Sequence, residues 1–252
     1  MSTITLDAPT DAPEVDEIPG GHKRITPRSG GRTYERANGD VHRSISGLPW
    51  PDDFTGATRY MAGKYVARSI AEIAATPIDE IARKVAQGAA DELSNAAARG
   101  TAVHRYIECR VLGQTPPWQE IEAAGASDWL PAADAYLKDC PPSPGLDEVV
   151  VFGESCGVKI AGTVDRVDLN GRVIVRDYKT RTTKHDRRAK EAAQLGAYAH
   201  CLLRGCYVDE RGYDRTLEHI DHTEVVTFAP DGTYAIHRVE LADALRAHEA
   251  RM

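Results

Sequence analysis

Gly162-Thr163-Val164-Asp165, followed by Val175-Arg176-Asp177-Tyr178-Lys179 and then by Gln194 and Tyr198, decides how this 252-residue chain is read. Ile160 and Val164 alternate into Asp165, and Val173 and Val175 alternate into Asp177, so each acid closes a strand of period two. Between them lies an Asn170-Gly171 turn, which suits a tight hairpin. The two carboxylates can therefore meet across neighbouring strands, and Lys179, two residues beyond Asp177, emerges on the same face as that acid. An acid two places before a lysine is expected about once by chance in a chain of this composition. The weight rests on the conjunction of strands, acids, lysine and following helix.

Two carboxylates and a lysine so placed are the minimum for metal-assisted phosphodiester hydrolysis. Asp165 and Asp177 could share a hard cation. Lys179 would orient the attacking water, deprotonate it or neutralise the phosphate, and the residues alone do not separate these roles. His104, in the middle of an expected helix, could complete a carboxylate site through a neutral imidazole. Gly100 one turn before it would allow close approach, and Glu108 one turn after would add an acid. Gln194 and Tyr198 are four apart on one helix face, with Arg187, Arg188 and Lys190 on its first turns as candidate phosphate contacts. Each also has a plain alternative: a core tyrosine, a surface glutamine, a solvated arginine.

Composition sets the outer limits. The chain carries 31 basic and 38 acidic residues for a net charge of -7. Five of the acids (Asp7, Asp11, Glu14, Asp16, Glu17) fall in the first twenty positions with no base among them. Between Arg172 and Lys190 the balance reverses, through Arg172, Arg176, Lys179, Arg181, Lys184, Arg187, Arg188 and Lys190, and a local basic face is what phosphate binding needs. Arginines outnumber lysines 23 to 8, so part of this richness can reflect coding bias. Neither a signal-peptide pattern nor a run of about 18 apolar residues is present, which points to a cytoplasmic protein without a membrane partner. Five cysteines, an odd number with no Cys-x-x-Cys, are expected to be reduced thiols.

Working outward, residues 1–32 hold too little apolar surface to fold alone and are expected to form a disordered arm. Residues 33–145 read as a small hairpin turning at Asn38-Gly39 and then a helical region containing His104. Within it helices are expected over 60–74, 78–87 and 91–112, then one or two over 119–137. Trp50, Tyr60 and Tyr65 beside Arg59, Lys64 and Arg68 could stack bases along a strand or could pack in the core. Residues 146–252 supply the sheet: strands over 148–154, 158–169 and 172–180, a helix over 186–203, strands over 224–229 and 233–240, and a last helix from Leu241. Residues 33–252 are read as one structural domain.

Taken in order, Gly100-x-x-x-His104, Gly162-Thr163-Val164-Asp165-Arg166, Asp177-Tyr178-Lys179 and Gln194-x-x-x-Tyr198 resemble the PD-(D/E)xK nuclease superfamily, in particular its RecB-like exonuclease branch with CRISPR-associated and phage members. The resemblance covers about residues 99–203. It implies an α/β fold, restriction-endonuclease-like, with an αβββαβ core around a central mixed sheet and a helical N-terminal region ahead of it. It also implies a Mg2+ or Mn2+ cofactor and DNA as substrate. By resemblance His104, Asp165, Asp177 and the Tyr178 carbonyl would hold the metal, Lys179 would be catalytic, and Gln194 and Tyr198 would support the lysine and the DNA. Many CRISPR-associated members bind an iron-sulfur cluster through a cysteine ahead of the histidine motif and a trio near the C-terminus; here no cysteine precedes His104, Cys201 and Cys206 make at most a pair, and no cluster is expected. The implied activity is a metal-dependent DNA exonuclease of recombination or repair, with a phage origin and a recombination protein as partner both compatible. The alternatives are a junction-resolving or restriction-type endonuclease and a non-catalytic DNA-end binding module. An oligomer is compatible with the sequence, which specifies no interface for one.

Overall fold

The computed structural model describes residues 13–27, 32–48, 53–181 and 188–252. In chain order its elements are β1 (Glu14–Ile18), β2 (His22–Thr26), β3 (Thr33–Glu35), β4 (Val41–Ser44), α1 (Asp53–Arg68), α2 (Ile70–Ala74), α3 (Ile78–Val111), α4 (Trp118–Ala123) and α5 (Leu130–Asp139). There follow β5 (Gly145–Ser155), β6 (Val158–Asp168), β7 (Ile174–Thr180), α6 (Arg188–Arg204), β8 (Cys206–Val208), β9 (Asp214–Arg215), β10 (His222–Phe228), β11 (Tyr234–Val239) and α7 (Leu241–Glu249).

The expected meander is present: β5 pairs β6 and β6 pairs β7, both antiparallel. After α6 the chain returns so that β10 lies parallel to β7, and β11 closes that edge antiparallel to β10. Helix α3, strands β5 to β7, helix α6 and strand β10 together make the αβββαβ core with a mixed sheet. No helix among the described residues is long and apolar enough to cross a membrane.

Three apolar clusters hold these layers. One face of the sheet packs Val149, Val151, Ile160, Val164 and Val175 against Leu195, Tyr198 and Leu202 of α6, with Ala244 of α7 behind. On the other face, Tyr178, Val226 and Phe228 meet Val103, Tyr106 and Ile107 of α3 and Tyr136 of α5. Beside these helices Val150, Phe152 and Ala161 are covered by Tyr34 of β3 and by Cys206 and Val208.

Several boundaries differ from the sequence reading. The helices expected over 78–87 and 91–112 are one element, α3, because Gly88 and Gly100 are tolerated within it. At Gly88 there is a packing reason: a Cβ there would lie 2.3 Å from a carbon of the Tyr65 ring. The arm expected to be disordered contains the β1–β2 hairpin, which extends the sheet through β3 and β4. Its turn packs against Gly212, where a Cβ on Gly20 would meet the Gly212 carbonyl oxygen at 2.6 Å. Composition undervalued this segment because its stabilising partners lie in β3 and the β8–β9 turn. Arg28, Trp50, Lys184 and Arg187 lie outside the described residues.

Candidate active site

Strand β6 is forked. Along one edge it pairs parallel with β4 through Ile160 and Ala161, and antiparallel with β7 from Arg166 to Asp168. Residues 162–165 lie between the two pairings, so the Gly162-Thr163-Val164-Asp165 stretch borders a crevice in the sheet. Asp165 uses the opening: its Oδ2 accepts a hydrogen bond of 2.6 Å from the Tyr178 backbone N–H. Gly162 is required by what packs across it, since a Cβ there would stand 2.7 Å from the Tyr198 ring.

Helix α3 brings His104 to the same crevice. Its Nδ1 lies 3.2 Å from Asp165 Oδ1 and its Nε2 2.9 Å from the Tyr178 carbonyl oxygen. Both nitrogens face acceptors, which suits the imidazolium form. Burial alone would lower this pKa, but the charge and hydrogen bond of Asp165 outweigh it and raise His104 to about 9. Reciprocally, burial would raise Asp165, and His104 more than offsets that and holds it below its ordinary value. Gly100 is not what permits this approach: a Cβ there would make only an ordinary contact of 3.6 Å with Thr180. Glu108 lines the cleft and pairs with Arg105 at 2.5 Å.

On β7, Asp177 and Lys179 share the face turned to α6. Their side chains pair at 2.5 Å, with Asp177 almost wholly buried at 1% exposure. Burial, in spite of Lys179, raises Asp177 to about 6. Burial would depress Lys179, but Asp177 and then Asp165 overcome it and raise the ammonium pKa. Gln194 holds this pair from α6: its Nε2 donates to Asp177 Oδ1 at 3.1 Å and to the Tyr198 hydroxyl at 2.9 Å. Tyr198 is itself buried at 4%.

The structure thus gathers His104, Asp165, Asp177, Tyr178, Lys179, Gln194 and Tyr198 around one cleft of about 890 Å3. Several of the expected basic residues whose side chains are described turn to acidic partners. Arg176 turns inward to Asp168 and Glu224, Arg181 pairs with Glu191, and Lys64 and Arg68 both pair with Glu92. Arg188 opens α6, and Lys190 lies in its first turn.

One residue was missed. Glu148 of β5 lies within the same cleft, and ligand atoms of His104, Glu148 and Asp165 fall within 4.8 Å of one another. Burial first, and Asp165 next, raise its pKa to about 7. A signal existed in the sequence: the Cys156-Gly157 turn sets the β5–β6 register, with Val149 opposite Val164 and Asp147 opposite Arg166, which places Glu148 opposite Asp165. Buried carboxylates, an imidazole and a main-chain carbonyl form a mostly oxygen donor set that fits a hard divalent cation of the Mg2+ or Mn2+ kind.

No curated protein matches the chain. Among solved structures, that of SSO0001 is similar over 47% of this chain and 52% of its own, with 17% identity and a TM-score of 0.29. That of a candidate exonuclease from Eubacterium rectale is similar over 62% of this chain and 64% of its own, with 13% identity and a TM-score of 0.39. The chain spans about half the length of the first and less than two thirds of the second. The sequence profile of the PD-(D/E)XK nuclease superfamily matches residues 45–248, from just after β4 to the end of α7 and including every residue of the cleft's metal-binding and lysine positions, and the chain belongs to that superfamily.

Proposed function

We propose that this nuclease is a divalent-metal-dependent DNA exonuclease that trims ends in recombination or repair. The observation that carries the reading is the convergence of Lys179 on Asp177 beside the Asp165–His104 pair, at the floor of a cleft. His104, Asp165, Asp177 and the Tyr178 carbonyl would hold the cation. Bound there, it would polarise the attacking water and the scissile phosphate. Lys179, steered by Asp177, presents a fixed positive charge to the phosphate or orients the water. Gln194 fixes Asp177 by hydrogen bonding, and Tyr198 fixes Gln194, so the lysine's position is set from α6 and not by β7 alone. Arg24, Arg32 and Arg105, which line the cleft, and Arg181 and Lys190 beside α6 would offer positive charge to the DNA backbone.

The test is digestion of end-labelled single- and double-stranded DNA with Mg2+, with Mn2+ and with EDTA, alongside covalently closed circles. Loss of label that requires the metal and spares the circles supports the reading. Cleavage of the circles points to an endonuclease, and binding without hydrolysis in either metal points to an end-binding module.

A further inference from the structure

We propose that Glu148 is a further ligand of the metal centre, reaching the cation from the β5 side of the cleft. The inference rests on the metal-dependent reading above and adds a position that no part of the four-motif resemblance assigns. In the β5–β6 register Glu148 and Asp165 fall in the gap between the Asp147–Arg166 and Val149–Val164 pairs, at opposed positions. Like charges at opposed positions of an antiparallel pair are destabilising. Here the imidazole of His104 is beside them, with ligand atoms of all three residues inside 4.8 Å, and among the described residues Glu148 has neither hydrogen bond nor ion pair to neutralise it. The strands are distorted where the two acids meet. Leu146 and Val149, three apart, pack in the same core cluster, as do Val164 and Val167, so the alternation slips by one residue on both strands at this point. Glu148 takes up the slip in the left-handed region, with φ 47, which a glutamate rarely adopts. Such strain is retained where the surrounding structure holds it for a use. A divalent cation between Glu148, Asp165 and His104 supplies the use: it turns the unfavourable opposition of two carboxylates into a binding site.

The test measures Mn2+ binding to DNA-free protein at pH 8, from the electron paramagnetic resonance signal of free Mn2+, together with thermal melts in EDTA and in Mn2+. Glu148→Gln keeps the shape and removes the charge. It is expected to weaken Mn2+ binding about tenfold or more, to melt above the wild type in EDTA because the repulsion is gone, and to gain less from Mn2+. Glu148→Asp should recover part of the affinity. Unchanged Mn2+ affinity in Glu148→Gln overturns the proposal, and so does a lower melting point in EDTA, which marks a merely structural residue. Wild-type protein that binds no Mn2+ sinks this proposal and the metal-dependent reading together, whereas tight binding without DNA hydrolysis sinks only the nuclease reading.

Discussion

At the scale of single residues, the cleft joins groups whose partners are few and specific. Lys179→Ala removes the one lysine charge at Asp177, and nuclease activity in Mg2+ is expected to fall about a hundredfold or more while circular dichroism shows the fold retained. Preserved activity in the digestion assay would contradict the role given to Lys179. Gln194→Leu leaves the buried Asp177 Oδ1 and Tyr198 hydroxyl without their donor. It is expected to cost about 1–3 kcal/mol of stability, read by urea unfolding, and to lower activity further through the displaced Lys179. Arg166 is a different case. It is buried between Asp147, Asp168 and the Ser143 carbonyl, away from the cleft, and Asp168 passes the charge on to Arg176 and Glu224. Arg166→Ala would take from Asp147 its partner and leave Asp168 to Arg176 and Ser143, and about 3–5 kcal/mol should be lost.

At the scale of elements, α6 is the part that ties chemistry to core. Its inner face carries Gln194 and Tyr198 to the site, while its back packs on α7 so closely that a Cβ at Gly196 would lie 2.0 Å from the Ala244 carbonyl oxygen. Gly196→Ala must push α7 away, and a loss of about 1–3 kcal/mol is expected in thermal or urea melts. The same contact buries His248, whose Nε2 lies 3.0 Å from Ser155 Oγ and whose ring lies tilted 5.6 Å from that of His200. Burial, and then the neighbouring His200, lower its pKa from 6.5 to about 4. The unfolded chain therefore binds this proton through the window between those values and the folded chain does not, so stability should decrease as the pH falls from 6.5 toward 4, by up to about 1.4 kcal/mol per unit. Melts at pH 8 and pH 5 check it: the wild type should lose more between them than His248→Gln, and equal losses would contradict the assignment.

At the scale of the whole molecule, the region matched by the superfamily begins at residue 45, yet the sheet does not. Tyr34 is buried against Phe152 at a ring separation of 6.3 Å, and its hydroxyl bonds Thr163, so the N-terminal strands cover apolar surface of the nuclease sheet. Removing residues 1–44 should expose Val150, Phe152 and Ala161 at about 1.5–3 kcal/mol for each large side chain, seen as a lowered melting temperature and new dye binding; an unaltered melt would show the strands to be dispensable. The sequence by itself determined the hairpin of Asp165 and Asp177, the helical placement of His104, Gln194 and Tyr198, and the order of the core elements. Those follow from period, turn residues and spacing, which are local. It misread residues 14–26, because that hairpin is held by distant partners, and it did not foresee that Arg176 and Arg181 would pair with Glu224 and Glu191. Only the tertiary structure decided that β6 would fork between β4 and β7, opening the crevice where Asp165 meets His104. The physical reason is that a strand's edge partners and a buried charge's neighbours are set by contacts between residues far apart in the chain, which no local pattern encodes.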